Sequence, residues 1–148
     1  WRIPHSSLIL MAQRRSRTPN IDPRSQSRER ALTLLYEADT KNVSGHTVIA
    51  GLVEPPDAVS LLIVRGVADN QETIDGLISE HADGWTLNRM PCLDRNILRM
   101  ATFELLHRLD IPQAVILDEA VQLAKTFSTD DSSRYVNGVL SAVAKSSR

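Results

Sequence analysis

Apolar residues recur every three or four positions through most of the chain, which is the period of amphipathic α-helices. In the first such segment, a serine at position 25 or 27 can cap the helix start, and the pattern ends near residues 41–42. The side chains expected to be buried in this segment are Ala31, Leu34, Leu35 and Ala38. Glycine, which strand-rich domains need at frequent turns, occurs only six times. The pattern therefore predicts an all-α protein.

Further segments carry the same helical period, separated by prolines and polar residues. Pro55 and Pro56 cannot continue a helix, Asp57 can cap the next one, and Pro112 separates two later helices. The predicted ranges are 46–52 (short), 58–81, 93–109, 113–127 and 133–144. We expect about seven helices in two small packed bundles, divided near Pro91.

Two glycines lie inside predicted helices, where glycine costs about 1 kcal/mol relative to alanine. The Asn137–Gly138 pair alone would indicate a hairpin turn between strands, but the longer spacing around it indicates a helix. We expect that Gly66 and Gly138 are each explained by the close approach of another helix.

Composition restricts the class of protein further. The chain has 148 residues, about one domain, and 42% are apolar but only 4% aromatic, so the core should be aliphatic. The single cysteine, Cys92, excludes a disulfide framework and fits a reducing cytoplasm. No apolar run approaches the ~20 residues of a membrane helix. We predict a disordered basic tail over residues 1–23 and a helical domain over 24–148.

Charge is distributed unevenly along the chain. The formal net charge is only −1. Residues 1–30 contain seven arginines and two acidic residues, a net charge of +5, whereas residues 31–148 contain ten basic and sixteen acidic residues, a net charge of −6. A basic arm on an acidic body indicates a localised contact with a polyanion.

Arginines at the start of the first predicted helix are the strongest candidate site. Arg24 and Arg28 are four residues apart and would share one face, with Arg30 close by. Helix starts normally favour acidic side chains. Cations there suggest that guanidinium groups and exposed backbone amides together bind an anion such as an RNA phosphate chain. The alternative is a solvated arm that only aids solubility.

Enzyme signatures are missing from the sequence. It contains no GxGxxG, GxxxxGK[ST], HExxH or GxSxG, and its four histidines are not spaced as metal ligands. Asp118 and Glu119 would point in different directions on a helix, and Asp130 and Asp131 are placed to cap one. We therefore predict no catalytic residue, no metal and no cofactor. Tyr135 is open to two interpretations, a stacking residue for RNA bases or a half-buried aromatic at a helix start.

Three stretches of the chain resemble a known family. They are RERALTLLYEAD (28–39), GWTLNRMP (84–91) and LDRNILRMATFELLHRLDIPQAVILDEAVQLAKTFSTDDSSRYVNGVLSAVAK (93–145). In this order and spacing they resemble the NusB family of bacterial transcription antitermination factors, from about Arg24 to Ala144. The resemblance implies a cytoplasmic, non-enzymatic protein of two packed helical bundles. It also implies binding to single-stranded boxA RNA of ribosomal RNA transcripts with the ribosomal protein NusE, on the elongating RNA polymerase, in support of ribosomal RNA maturation.

The resemblance also implies particular RNA contacts. Arg24 and Arg28 fall on arginines of the family's basic amino terminus, and Tyr135 falls on a loop aromatic, which favours the stacking role. The other positions implied are Asp94, Arg95, Arg99 and Asp131. Asp131 would repel phosphate, so it is expected to accept from a base edge or to limit affinity. Some relatives carry arginines where this chain has serine and glutamine, at positions 25 and 26, so RNA affinity could be weaker unless arginines 14, 15 and 17 compensate.

Two other interpretations remain open. A related helical domain occurs fused to RNA cytosine methyltransferases, but this chain leaves no room for a methyl-donor domain, which favours a stand-alone factor. The second is a protein-interaction module or homodimer whose arginine face is masked by a second copy. RNA binding would then be weak or secondary.

Overall fold

The computed structural model describes residues 23–148. Within that range it contains seven α-helices, one 3-10 turn and no strand, so the predicted all-α class is confirmed. The helices are α1 (Pro23–Lys41), α2 (Gly45–Ala50), α3 (Ala58–Asp69), α4 (Gln71–His81), α5 (Cys92–His107), α6 (Gln113–Phe127) and α7 (Asp130–Ser147). The 3-10 turn, Leu87–Arg89, lies between α4 and α5. The predicted tail lies outside the described residues except for Pro23, the first residue of α1.

Side-chain caps define three of the described helix starts, and those of α3 and α7 bear on the predictions. Asp57 caps α3 as predicted, because its carboxylate accepts from the backbone N–H of Ser60 at 3.1 Å. α7 begins three residues before the predicted start, since its cap is Thr129, whose hydroxyl accepts from the backbone N–H of Ser132 at 3.0 Å. Asp130 and Asp131, which were predicted to cap this helix, instead form its first turn, where carboxylates complement the helix dipole.

The predicted single helix over residues 58–81 is wrong, because the chain turns at Asn70 between α3 and α4. Asn70 donates its backbone N–H and its side-chain Nδ2 to the Gly66 carbonyl, at 3.1 and 2.8 Å. Asparagine side chains compete for backbone partners in this way and favour helix ends. The apolar period continues across the turn, so periodicity alone does not reveal the break.

α5 is the central helix and packs against α1, α3, α4, α6 and α7. One bundle contains α1–α3 and the other contains α5–α7, while α4 packs on α5 and α7. α1 runs antiparallel to α5, since Arg28 near the start of α1 contacts Glu104, and Asp39 near its end contacts Arg95. Helix ends therefore meet in two places, which we call the Glu104 end and the Asp94 end.

The apolar core is continuous through both bundles. Its largest fully buried side chains are Leu32, Ile63, Ile74, Ile78, Leu93, Ile97, Leu98, Met100, Leu105, Ile116 and Leu140. The aliphatic core that composition predicts is thus confirmed. No helix within residues 23–148 combines the length and hydropathy needed to cross a membrane.

The last turn of α5 is closed by an arginine that follows α7. The Arg148 guanidinium donates to the backbone oxygens of Leu105, Arg108 and Ile111 at 2.9, 3.0 and 2.9 Å. Carbonyls at a helix end lack intrahelical partners and carry partial negative charge. The cation therefore satisfies them and fixes the chain after α7 to the Glu104 end.

The two helical glycines have different explanations. A Cβ atom on Gly66 would overlap the Phe103 ring, so the predicted close approach of another helix is confirmed there. A Cβ atom on Gly138 would meet nothing within 4 Å, so the same prediction is wrong for that residue. The helix prediction around Gly138 is nevertheless confirmed, since the residue lies within α7.

Gly66→Ala is expected to destabilise the protein by about 1–3 kcal/mol, the usual range for overpacking. Gly138→Ala should instead stabilise it by up to about 1 kcal/mol, because alanine has the higher helix propensity. Denaturant unfolding followed by circular dichroism measures both changes. Adding Phe103→Leu to Gly66→Ala should cost less than the two single losses together, and strictly additive losses would contradict the proposed overlap.

Candidate nucleic-acid interface

Arg28 is not exposed, contrary to the prediction. Its side chain is buried between α1 and α5, and the residue is 3% exposed. Its Nε and Nη2 donate to Oε1 and Oε2 of Glu104, both at 2.9 Å, in a bidentate pair. Arg108 donates to the same carboxylate at 3.3 Å. The predicted exposed face shared by Arg24 and Arg28 is therefore wrong, because Arg28 points into the fold and neutralises a buried acid.

The basic residues on either side of Arg28 are exposed. Arg24 lies in the first turn of α1 and Arg30 lies in its second, and both are accessible to solvent. The first turn of α1 contains no acidic residue. Ser25 donates to Glu119 of α6 at 2.8 Å, which fixes this part of α1 against the second bundle. The Glu104 end thus presents cations beside the backbone N–H groups of a helix start.

Asp39 is the centre of a polar network at the Asp94 end. Its Oδ2 accepts from Arg95 Nε at 2.9 Å, from Asn96 Nδ2 at 2.9 Å and from Arg99 Nη1 at 3.4 Å. Arg99 also forms a bidentate pair with Asp75 of α4, at 2.8 and 3.0 Å. The network therefore joins α1, α4 and α5 through one carboxylate.

Arg95 and Arg99 are consequently placed differently from the prediction. Arg95 Nη1 donates to the backbone oxygens of Leu87 and Met90, both at 3.1 Å, in addition to its pair with Asp39. Arg99 is buried. Their guanidinium groups orient helices and the 3-10 turn, and they do not face solvent as phosphate-binding groups would.

The pKa of Asp39 reflects this network. Burial opposes its ionisation, but the Arg95 guanidinium, the Asn96 amide and Arg99 outweigh burial and hold the pKa below the ordinary value of 3.8. The same surroundings raise the pKa of the Cys92 thiol to about 12, because the thiol is buried beside the Asp39 carboxylate. Cys92 is therefore a protonated, unreactive donor at neutral pH.

Asp94 is also buried, and no cation pairs with it among the described residues. Its Oδ1 accepts from the Ser128 hydroxyl at 3.0 Å and its Oδ2 accepts from the Ser132 hydroxyl at 2.8 Å. Burial raises the pKa of Asp94 more than these two hydrogen bonds lower it. The RNA contact that the resemblance implies for Asp94 is wrong for this arrangement, since the carboxylate faces the α6–α7 junction.

Two predicted site residues on α7 remain accessible. Asp131 has a fully solvated side chain, 91% exposed, and accepts from Arg134 one turn later. Tyr135 is half-buried, and its ring lies 5.4 Å from the ring of Trp85 with an angle of 39° between the planes. Burial, Asp94 and Asp83 raise the pKa of Tyr135. Its hydroxyl is buried without a hydrogen-bond partner within the described part of the chain.

The structure thus separates the predicted site into two groups. Arg24, Arg28 and Arg30 lie at the Glu104 end, and Asp94, Arg95, Arg99, Asp131 and Tyr135 lie at the Asp94 end. The ten residues between positions 94 and 104 of α5 correspond to about 15 Å along its axis. A single cradle that contains all the candidates is therefore excluded.

Three important residues were not predicted from sequence. Glu104 and Asp39 determine where the arginines point, and Trp85 shares the surface with Tyr135. Trp85 could have been noticed as an aromatic in a connector of a chain with few aromatics. The pairing of Arg28 with Glu104, 76 residues away, has no local signal. No group of three His, Cys, Asp or Glu side chains within residues 23–148 is placed to hold a metal ion.

Residues 25–145 match the profile of the NusB family. The chain belongs to the NusB family. The transcription antitermination protein NusB of Saccharopolyspora erythraea is 48% identical over 127 residues, which cover 82% of this chain and 86% of that protein.

Solved NusB-family structures have the same fold. T. maritima NusB matches with a TM-score of 0.75 and 33% identity, over 84% of this chain and 92% of that chain. A chain in a crystal structure of antitermination factors NusB and NusE with double-stranded RNA matches with a TM-score of 0.72 and 25% identity. That match covers 83% of this chain and 96% of the other.

In this NusB-family chain, Arg28→Ala is expected to reduce stability, because it leaves the Glu104 carboxylate buried. Removing one partner of a buried pair costs about 3–5 kcal/mol, and the remaining contact from Arg108 places the expected loss at the lower end. Urea unfolding measures it. Arg30→Ala is the matched control, since an exposed substitution should change stability by no more than about 0.5 kcal/mol. Equal effects of the two changes would contradict the buried pair.

The pH dependence of stability should distinguish Asp39 from Asp94. Asp39 has a lowered pKa, so its contribution is fully present above pH 3.8 and is lost as pH falls through its folded pKa. Asp94 has a raised pKa, so its ionisation weakens the folded state as pH rises from 3.8 through its folded pKa. We expect Asp39→Asn to have a lower free energy of unfolding than wild type, and this difference should shrink as pH falls. The free energy of unfolding of Asp94→Asn should instead increase relative to that of wild type as pH rises. Unfolding free energies measured across pH 3–7 test both signs, and parallel profiles for wild type and both variants would contradict them.

Proposed function

We propose that this chain is a transcription antitermination factor that binds single-stranded boxA RNA of ribosomal RNA transcripts together with NusE. In this proposal it acts on the elongating RNA polymerase, supports processive elongation and ribosomal RNA maturation, and catalyses no reaction. The observation that carries the proposal is 48% identity to an antitermination protein over 82% of the chain. The structural match to a NusB chain in a complex with NusE and RNA supports the two partners.

The exposed arginines at the start of α1 are the proposed phosphate contacts. Arg24 lies in the first turn of α1, beside the helix-start N–H groups, and Arg30 lies one turn later. Guanidinium groups and such amides both attract phosphate. Direct contact by Arg28 would require its buried pair with Glu104 to open. We therefore assign Arg28, like Arg95 and Arg99, the role of positioning helices.

The proposed base contacts lie at the other end of the molecule. Asp131 and Tyr135 are accessible near the start of α7, and a carboxylate and an aromatic ring are suited to a base edge and a base face. An unpaired strand offers both, whereas an RNA duplex hides its base faces. This chemistry favours single-stranded RNA over the double-stranded RNA of the related complex.

A groove between α3 and α5 is the proposed contact surface for NusE. It has a volume of about 550 Å³, an apolar floor that includes Leu61 and Phe103, and a rim that includes Arg65 and Arg108. Leu62 lines it and is 47% exposed. An apolar patch with a charged rim is the usual composition of a protein interface.

The alternative function is a protein-interaction module or homodimer with weak RNA binding. The observation that favours it is that Arg28, Arg95 and Arg99 are engaged within the fold. Under this alternative, a second copy would cover the arginine face, and RNA would not change the mass measured in solution.

The main test is a titration of labelled boxA RNA, mutated boxA RNA, an unrelated single strand and double-stranded RNA, each with and without NusE. We expect boxA to bind most tightly and NusE to increase that preference. Binding should weaken with salt, because each phosphate contact of a single strand contributes about 0.7 to the slope of log affinity against log salt. Equal affinity for all four RNAs, or none, would contradict the proposal.

Variants assign the two surfaces in the same titration. Arg24→Ala combined with Arg30→Ala should lower the salt slope by about 1.4, the value for two contacts. Lys125→Ala with Lys145→Ala removes the same charge elsewhere and should leave binding nearly unchanged. Leu62→Asp should abolish the effect of NusE but not RNA binding alone, whereas Leu109→Asp, an exposed leucine in the α5–α6 loop, should preserve both.

A further inference from the structure

Trp85 is the exposed aromatic side chain of the described region. Tyr36, Phe103 and Phe127 are buried and Tyr135 is half-buried, whereas Trp85 is 47% exposed. Tryptophan is usually among the more buried residues on average. An indole with half of its surface in water therefore calls for an explanation beyond packing.

The backbone fixes the position of this indole. Gly84 has a φ of +78°, which glycine adopts without strain, and the Trp85 N–H donates to the Ala82 carbonyl at 3.2 Å. This turn after α4 sets the indole against Tyr135 of α7, with the ring centres 5.4 Å apart. The two rings form one aromatic surface from two separate elements, which we call the Trp85 platform.

Two exposed carboxylates lie close in sequence to the rings of the Trp85 platform. Asp83 lies two residues before Trp85, and Asp131 lies four residues before Tyr135 on the same face of α7, where it pairs with Arg134. Carboxylates repel phosphate but accept hydrogen bonds from the exocyclic amino groups of bases. An RNA strand would therefore place a base on this surface and keep its backbone away.

We propose that the Trp85 platform stacks one unpaired RNA base that carries an exocyclic amino group, with Trp85 as the principal contact. Base–aromatic stacking does not require a particular sequence, while the neighbouring carboxylates of Asp83 and Asp131 select against uracil. This inference rests on the proposed function, because it takes RNA as the ligand. It adds a base-binding residue from the connector between α4 and α5.

The test uses the full-length chain with Trp85→Leu, Trp85→Phe and the control Leu109→Ala. Trp85→Leu should weaken boxA RNA binding about 5- to 150-fold, the factor that corresponds to loss of one stacked base. Trp85→Phe retains a ring and should recover part of the loss. Leu109→Ala removes exposed apolar surface at another site and should change affinity by no more than about twofold.

Two readouts separate stacking from a general structural effect. The salt slope should be unchanged in Trp85→Leu, because stacking releases no counterions. A series of RNAs, each lacking the base at one position, locates the stacked base. At one position the missing base should weaken binding to wild type but not to Trp85→Leu, because that base and the Trp85 side chain are a coupled pair. At that position adenine, cytosine or guanine, each of which carries an exocyclic amino group, should bind better than uracil. A reduced salt slope, or no coupled position, would overturn the inference.

A fluorescence measurement keeps the inference testable if Trp85→Leu does not fold. In a Trp1→Phe background, Trp85 is the remaining tryptophan, and saturating boxA RNA should change its emission. Unchanged emission despite RNA binding would overturn the Trp85 platform and leave the proposed function intact. Absence of RNA binding by wild type would instead overturn the proposed function, and the inference with it.

Discussion

Charge pairing between α1 and α5 determines the arrangement of the whole described fold. Arg28 meets Glu104 near one end of these antiparallel helices, and Asp39 meets Arg95 near the other. Arg28 and Glu104 are buried, and Asp39 and Arg95 are partly buried, so a lone partner is costly in the first pair and less so in the second. The two pairs together favour this register and this direction of the two helices. Because α5 contacts five of the other helices, this register also sets the positions of α4, α6 and α7.

The pairing of Arg28 with Glu104 buries one of the arginines at the start of α1, whereas the neighbouring arginines are exposed. All three arginines lie in the first two turns of α1, yet Arg28 reaches a buried carboxylate whereas Arg24 and Arg30 are exposed. The accessible aromatic and acidic groups lie at the start of α7, next to Asp94, which is about 15 Å from Glu104 along the axis of α5. Under the proposed function, the RNA strand would extend along the molecule, with its phosphates bound at one end and its bases at the other.

Local chemistry in the sequence predicts most of the helices but little of the site. Asp57 and the segment 113–127 were predicted correctly because capping and apolar period are properties of neighbouring residues. The break at Asn70 was missed, because the period continues through it. The burial of Arg28 was also missed, because a helix face shows which residues align but not which partner from a distant segment meets them. Family resemblance does not solve this problem, since an arginine that matches in sequence can be either buried or exposed.

The contact between Gly66 and Phe103 has a consequence for how this chain can change over time. The aromatic ring occupies the space that any side chain at position 66 would need. A larger residue at position 66 therefore requires a smaller residue at position 103. Whichever substitution comes first, the intermediate protein is less stable than the starting one. We therefore expect the residues at positions 66 and 103 to coevolve.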